Sequence, residues 1–151
     1  MDKFYAYREL GAAVILQVCT DYFNCLRELK RYSGGGDKIA EIYQLCDDAL
    51  LNTSQLLYES DEDKLAEIYD LCNDHSLRLP RCSKKILEKI KNRIREYKEL
   101  VHEKNDLEDF FLSDYFNLFS FDSVYFDGED IMHKIREREE SGSRNLYGGF
   151  Y

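Results

Sequence analysis

Helix breakers are scarce in this sequence. Pro80 is its one proline, and only eight glycines occur in 151 residues, which argues against a many-turned β fold and leaves long stretches free to be helical. No apolar run reaches the roughly 20 residues that a membrane-spanning helix needs; Gly11–Cys19 is the best candidate and is far too short. The start Met1-Asp2-Lys3-Phe4, with Glu9 ahead of that run, does not read as a signal peptide. Basic residues are in deficit, 21 against 30 acidic ones, for a formal charge of −9. A chain of that sign does not generally seek phosphate backbones or anionic lipid, so a basic or neutral partner is expected and a membrane is not. The cysteines (Cys19, Cys25, Cys46, Cys72 and Cys82) are odd in number and never form Cys-x-x-Cys. That pattern reads as reduced thiols in an intracellular protein.

What the chain does have is apolar periodicity. An apolar fraction of 44% and an aromatic fraction of 14% are those of a globular protein, and the length suits one domain. From Lys3 to Tyr32 apolar side chains cover roughly two-thirds of a helical wheel, leaving a polar strip of Gln17, Thr20, Asp21, Asn24, Arg27, Glu28 and Arg31. Such a helix should be covered by neighbours on several sides. Ser33-Gly34-Gly35-Gly36 ends it, and Asp37 is the expected N-cap of the next.

Residues 37–48 (DKIAEIYQLCDD) and 63–74 (DKLAEIYDLCND) are identical at nine of twelve positions. This internal duplication predicts two related amphipathic helices, with Ile39, Ile42, Tyr43 and Cys46 on one face of the first and Leu65, Ile68, Tyr69 and Cys72 on one face of the second. A short helical turn at Ser54–Tyr58 and an acidic loop lie between them. Pro80 marks a boundary, and Ser83 is the expected cap of a helix striped by Ile86, Ile90, Ile94, Tyr97 and Val101. Arg81–Lys104 holds nine bases and four acids, whereas residues 1–80 and 105–151 each carry −7. Eight aromatic residues then fall between Phe110 and Phe126 with no Lys or Arg among them, which tells against a base-stacking platform and leaves packing on the first helix, the favoured reading, or a contact surface. The expected fold is all-α: a single-domain helical bundle, residues 1–140, around a long N-terminal helix. Its helices are placed near 3–32, 37–51, 63–75, 83–104, 107–119 and 129–140, followed by a flexible tail at 141–151.

No constellation specifies a reaction. Glu99/His102 and Asp130/His133 have the Glu-x-x-His type of spacing found in di-iron bundles, but each pair points away from its helix's apolar stripe, so no metal is expected there. Cys72, His75 and Cys82 could offer zinc ligands, yet Cys72 belongs to an apolar stripe and reads as a small core residue. There is no nucleophile elbow and no phosphate-binding glycine loop. Neither enzymatic activity nor a cofactor is expected.

Val14-Ile-Leu-Gln-Val-Cys-Thr-Asp-Tyr22 with Leu26-Arg-Glu-Leu-Lys30 resembles the first helix of small uncharacterised helical proteins carried by bacteriophages and mobile elements. Leu107-Glu-Asp-Phe-Phe-Leu-Ser-Asp-Tyr-Phe116, Asp127-Gly-Glu-Asp-Ile131 and Ile135-Arg136 resemble their C-terminal block. The likeness lies at the two ends of the chain. It implies a phage or mobile-element setting in a bacterial cytoplasm and carries no known activity.

Charge and resemblance together lead to one expectation: an acidic protein acting by protein–protein interaction, an inhibitor of a host nucleic-acid-binding defence enzyme of the anti-CRISPR type. Its partner would be a host protein with a basic surface, such as a CRISPR effector or another defence nuclease. Candidate contacts are Asp47, Asp48, Glu59, Asp61, Glu62, Asp63, Asp70 and Asp74. The alternative is a nucleic-acid-binding accessory protein using the basic helix 81–104 through Lys84, Lys85, Lys89, Lys91, Arg93, Arg95 and Lys98.

Overall fold

The computed structural model describes residues 3–51, 60–75, 81–119 and 127–142. Among these the fold is all-α: α1 (Lys3–Lys30), α2 (Asp37–Asp48), α3 (Asp61–His75), α4 (Arg81–Phe111), α5 (Asp114–Phe119) and α6 (Gly128–Glu140), with no strand. The helices divide between two compact units. Unit 2 is the continuous stretch Glu28–Val101; unit 1 is drawn from Met1–Arg27 and His102–Tyr151, so unit 2 is nested within its sequence. The expected turn at Ser54–Tyr58 and the tail beyond Gly142 lie outside the described residues.

In unit 2 the duplicated helices pack with α4. Ile39, Ile42 and Cys46 of α2 and their counterparts Leu65, Ile68 and Cys72 of α3 are all buried, in one cluster with Leu87, Ile90 and Ile94. Each large aliphatic side chain contributes on the order of 1.5–3 kcal/mol by leaving water. Burial pushes the Cys46 thiol up to about 12 and the Cys72 thiol to about 11, as befits cysteines serving as core residues. Tyr32 is buried too. Its hydroxyl donates to Glu96 at 3.1 Å, and burial followed by that bond raises the phenol to about 12.

The entry to α2 differs from the expected Asp37 cap. The Arg31 carbonyl accepts from the N–H groups of Lys38 and Ile39 at 2.9 and 3.0 Å, satisfying two of the helix's orphan donors. A Cβ at Gly36 would lie 2.3 Å from that same oxygen, so glycine is required there. The Asp37 carboxylate instead takes the Arg31 guanidinium in a two-pronged contact at 2.7 and 2.9 Å. The hydrogen bond from Arg31 holds its carboxyl down at about 2. At the other end α2 stops at Asp48, not residue 51. The N–H of Leu51 closes on the Cys46 carbonyl at 2.8 Å, with Leu50 left-handed at φ 60° where Gly or Asn is usual.

The basic helix is longer than expected at both ends. It begins at Arg81, so Ser83 lies inside it, and it continues through residues 104–107 to Phe111 because nothing there breaks it. Only Leu112 and Ser113 separate it from α5, which is confined to Asp114–Phe119; Ser113 Oγ donates back to the Phe110 carbonyl at 2.7 Å.

Unit 1 has an aromatic core. Ile15, Cys19, Tyr22 and Phe23 of α1 meet Phe111, Phe116, Met132 and Ile135. Ring centroids lie 5.4 Å apart for Tyr22–Phe111, 5.9 Å for Phe111–Phe116 and 6.1 Å for Phe110–Phe116. Asp127 Oδ1 caps α6 by accepting the Glu129 N–H at 3.0 Å. Gly128 follows, where a Cβ would strike the Phe111 carbonyl oxygen. The wide apolar arc of α1 is not wholly covered: Leu10 and Leu16 are exposed. Leu10 sits roughly 150° around the wheel from the buried line Ile15–Cys19–Tyr22, beyond what one packed face can reach.

Candidate interaction surfaces

The duplication gives α2 and α3 the same solvent face, and the two copies use it differently. On α3, Asp63, Glu67, Asp70 and Asp74 recur at i, i+4, i+7 and i+11, opposite the buried Leu65–Ile68–Cys72 face. The row is about 16 Å long at 1.5 Å per residue. Asp63, Asp70 and Asp74 are exposed and Glu67 is half-buried. None of the four makes an ion pair with Lys or Arg among the described residues. The equivalent positions on α2 are Asp37, Glu41, Gln44 and Asp48. There Arg31 holds Asp37, Arg93 holds Glu41 at 3.1 Å, and the neutral Gln44 donates to Asp48 at 3.2 Å. Arginines meet two of the three acids in one copy of the stripe; no acid of the other meets a Lys or Arg among the described residues.

Of the expected acidic contacts, Asp63, Asp70 and Asp74 thus fall into one row, and the row adds Glu67, which reading the acids as a loop and separate helix faces overlooked. Asp47, Asp48 and Glu62 are exposed but belong to other faces or another helix. Asp61 is half-buried and accepts the Gly34 N–H at 3.1 Å. Glu59 lies outside the described residues. Leu50, 92% exposed beside Asp47 and Asp48, had no sequence signal: in Ala49-Leu50-Leu51 it looks like one more helical leucine.

The cations of α4 divide around a row of acids. Arg93 bonds Glu41 and Glu96, and Arg95 bonds Glu88 at 3.3 Å and Asn92 at 2.8 Å. Lys91, Arg95 and Lys98 gather about the Tyr69 ring, their charged groups 5.5, 5.7 and 4.4 Å from its centroid. Lys84, Lys85 and Lys89 are exposed at the start of the helix. Four of the seven residues of the alternative nucleic-acid face are therefore engaged inside unit 2.

Unit 1 brings together three residues far apart in sequence. The Tyr22 hydroxyl donates to Glu108 Oε2 at 2.6 Å, and Arg136 donates to the same hydroxyl at 2.8 Å and to the same carboxylate. Burial raises the Tyr22 phenol, and the Glu108 hydrogen bond raises it further. Burial also pushes the Glu108 carboxyl up. The bonds from Tyr22 and Arg136 and the charges of Lys104 and Arg136 outweigh it, and the net displacement is downward. Glu99, His102, Asp130 and His133 are exposed, and His102 and His133 pair with Asp106 and Glu129 on their own helices. Among the described residues no three His, Cys, Asp or Glu side chains converge as a metal site. The side chains of His75 and Cys82 lie outside the description.

No family model, curated protein or solved structure matches the chain. The stretches that suggested a resemblance nonetheless have a physical account. They supply Ile15, Cys19, Tyr22, Glu108, Phe111, Phe116, Ile135 and Arg136, which are most of the core of unit 1 and all of its hydrogen-bonded cluster. Also among the described residues, no helix is long and apolar enough to cross a membrane.

Proposed function

We propose that this protein acts by binding another protein, setting the α3 row of Asp63, Glu67, Asp70 and Asp74 against a basic surface. The target class is a nucleic-acid-binding defence enzyme of a bacterial host, inhibited in the cytoplasm in the manner of an anti-CRISPR protein. The observation that carries this reading is the contrast between the duplicated helices: arginines hold two of the three acids in α2's stripe, while the four in α3's meet no internal cation among the described residues. Four carboxylates spaced about 4.5–6 Å along a rigid helix offer a linear array of negative charge, suited to a channel whose cations otherwise bind a phosphate backbone. Such complementarity acts mainly on the association rate and is sensitive to salt.

The test is inhibition of DNA cleavage by a panel of CRISPR effectors and other defence nucleases at low and high salt. The variant D63N/E67Q/D70N/D74N should lose at least about tenfold in inhibitory potency, and D47N/D48N should lose little. Equal potency in the quadruple variant, or no inhibition of any nuclease by the wild-type protein, would overturn the proposal.

A further inference from the structure

A second surface, in unit 1, has a different chemistry. Leu112 in the turn after α4 and Tyr115 and Leu118 on α5 are 60%, 68% and 65% exposed, while Phe111 just before them and Phe116 among them are buried. Single exposed apolar side chains are ordinary; three within seven residues make a patch. Each leucine has a carboxylate one helical turn before it, Asp109 ahead of Leu112 and Asp114 ahead of Leu118, and both acids are exposed. From Asn105 to His133 the chain contains eight Asp or Glu and no Lys or Arg.

We propose that this turn and the outer arc of α5 dock a cationic amphipathic segment of a partner protein. Its apolar side chains would cover Leu112, Tyr115 and Leu118, and its Lys or Arg residues would meet Asp109 and Asp114. Charge selects this occupant. A second copy seated by two-fold symmetry would set carboxylates against carboxylates, and an anionic bilayer would be repelled in the same way. The assignment is independent of the α3 row and stands or falls separately from it.

The probe is an 18-residue amphipathic helical peptide with one leucine face flanked by lysines, alongside a control with glutamate for every lysine. Binding to the full-length protein is read by fluorescence anisotropy. The lysine peptide should bind saturably and at least about tenfold more tightly than the glutamate peptide. L112S/Y115S/L118S should weaken it by about tenfold or more, and D109N/D114N by about threefold with a shallower salt dependence. All substituted side chains are exposed, and circular dichroism confirms that each variant is folded. The α3 variant D63N/E67Q/D70N/D74N should bind the peptide as the wild type does.

Any of the following would overturn the assignment: equal affinity for the two peptides; wild-type affinity in the leucine–tyrosine variant; self-association that this variant abolishes, which makes a second copy the occupant; or binding seen only after deletion of residues 143–151, which makes the chain's own end the occupant. Loss of peptide binding in the α3 variant alone would also overturn it, by moving the contact to α3.

Discussion

The two units solve the same packing problem with different materials. Unit 2 is mainly aliphatic: a helix used twice, with Ile39, Ile42 and Cys46 answered by Leu65, Ile68 and Cys72, and a single buried ring among the described residues, Tyr32, whose hydroxyl meets Glu96 and through it Arg93 at the edge of the core. Unit 1 is built from rings, and against them it holds a tyrosine, a carboxylate and a guanidinium in one hydrogen-bonded cluster. Apolar repetition is forgiving, because equivalent positions tolerate similar side chains. A ring cluster joined to a polar network depends on shape and on complete hydrogen bonding, so single changes should be felt more sharply there.

The largest expected effect is at Phe116. Phe116→Ala should destabilise by about 3–5 kcal/mol, whereas Ile42→Val and Ile68→Val should each cost about 1 kcal/mol, and the same as each other, because both sites are fully buried at equivalent positions. Chemical denaturation measures all three. Unequal isoleucine values would show that the duplicated helices have diverged in their packing.

Next comes the polar cluster. Tyr22→Phe should cost about 1–2 kcal/mol at neutral pH, since it removes a hydrogen bond to a partly buried charge. The folded-state carboxyl of Glu108 lies below its unfolded value. Its contribution is therefore complete above the ordinary glutamate range, near pH ~4.3, and fades as the pH falls through the lower folded value. Stability measured from pH 7 down to pH 2 should show that loss in the wild type and a flatter acid limb in Glu108→Gln.

How much of this was legible follows the same division. Unit 2's helices could be read because period 3.6 and a repeat of twelve residues are local signals, and Cys46 and Cys72 lie in the stripes that mark them as core. The exchange at Arg31 could not be read: Asp37 looks like a cap until an arginine six residues earlier folds back on it. Likewise the Tyr22–Glu108–Arg136 cluster joins residues separated by 86, 114 and 28 positions, and nothing in local spacing announces such partners. The aromatic run was legible as packing at Phe111 and Phe116 but not at Tyr115, because α5 turns one ring inward and the other out.

The smallest effect expected is a gain. Leu50 holds φ 60° with its side chain in water. Leu50→Gly should relieve a left-handed penalty of roughly 1–2 kcal/mol, offset by glycine's greater chain entropy, and so stabilise by about 0.5–1 kcal/mol in thermal denaturation. An unchanged midpoint would mean that the turn is not strained.

That leucine also makes the molecule's history open to replay. In a laboratory lineage selected only to survive heat, codon 50 should be among the first to drift toward glycine or asparagine. In a lineage selected also for binding the proposed partner, persistence of the leucine despite the handicap would place it among the contacts, and divergence of the two lineages at this single site would separate what the fold requires from what binding demands.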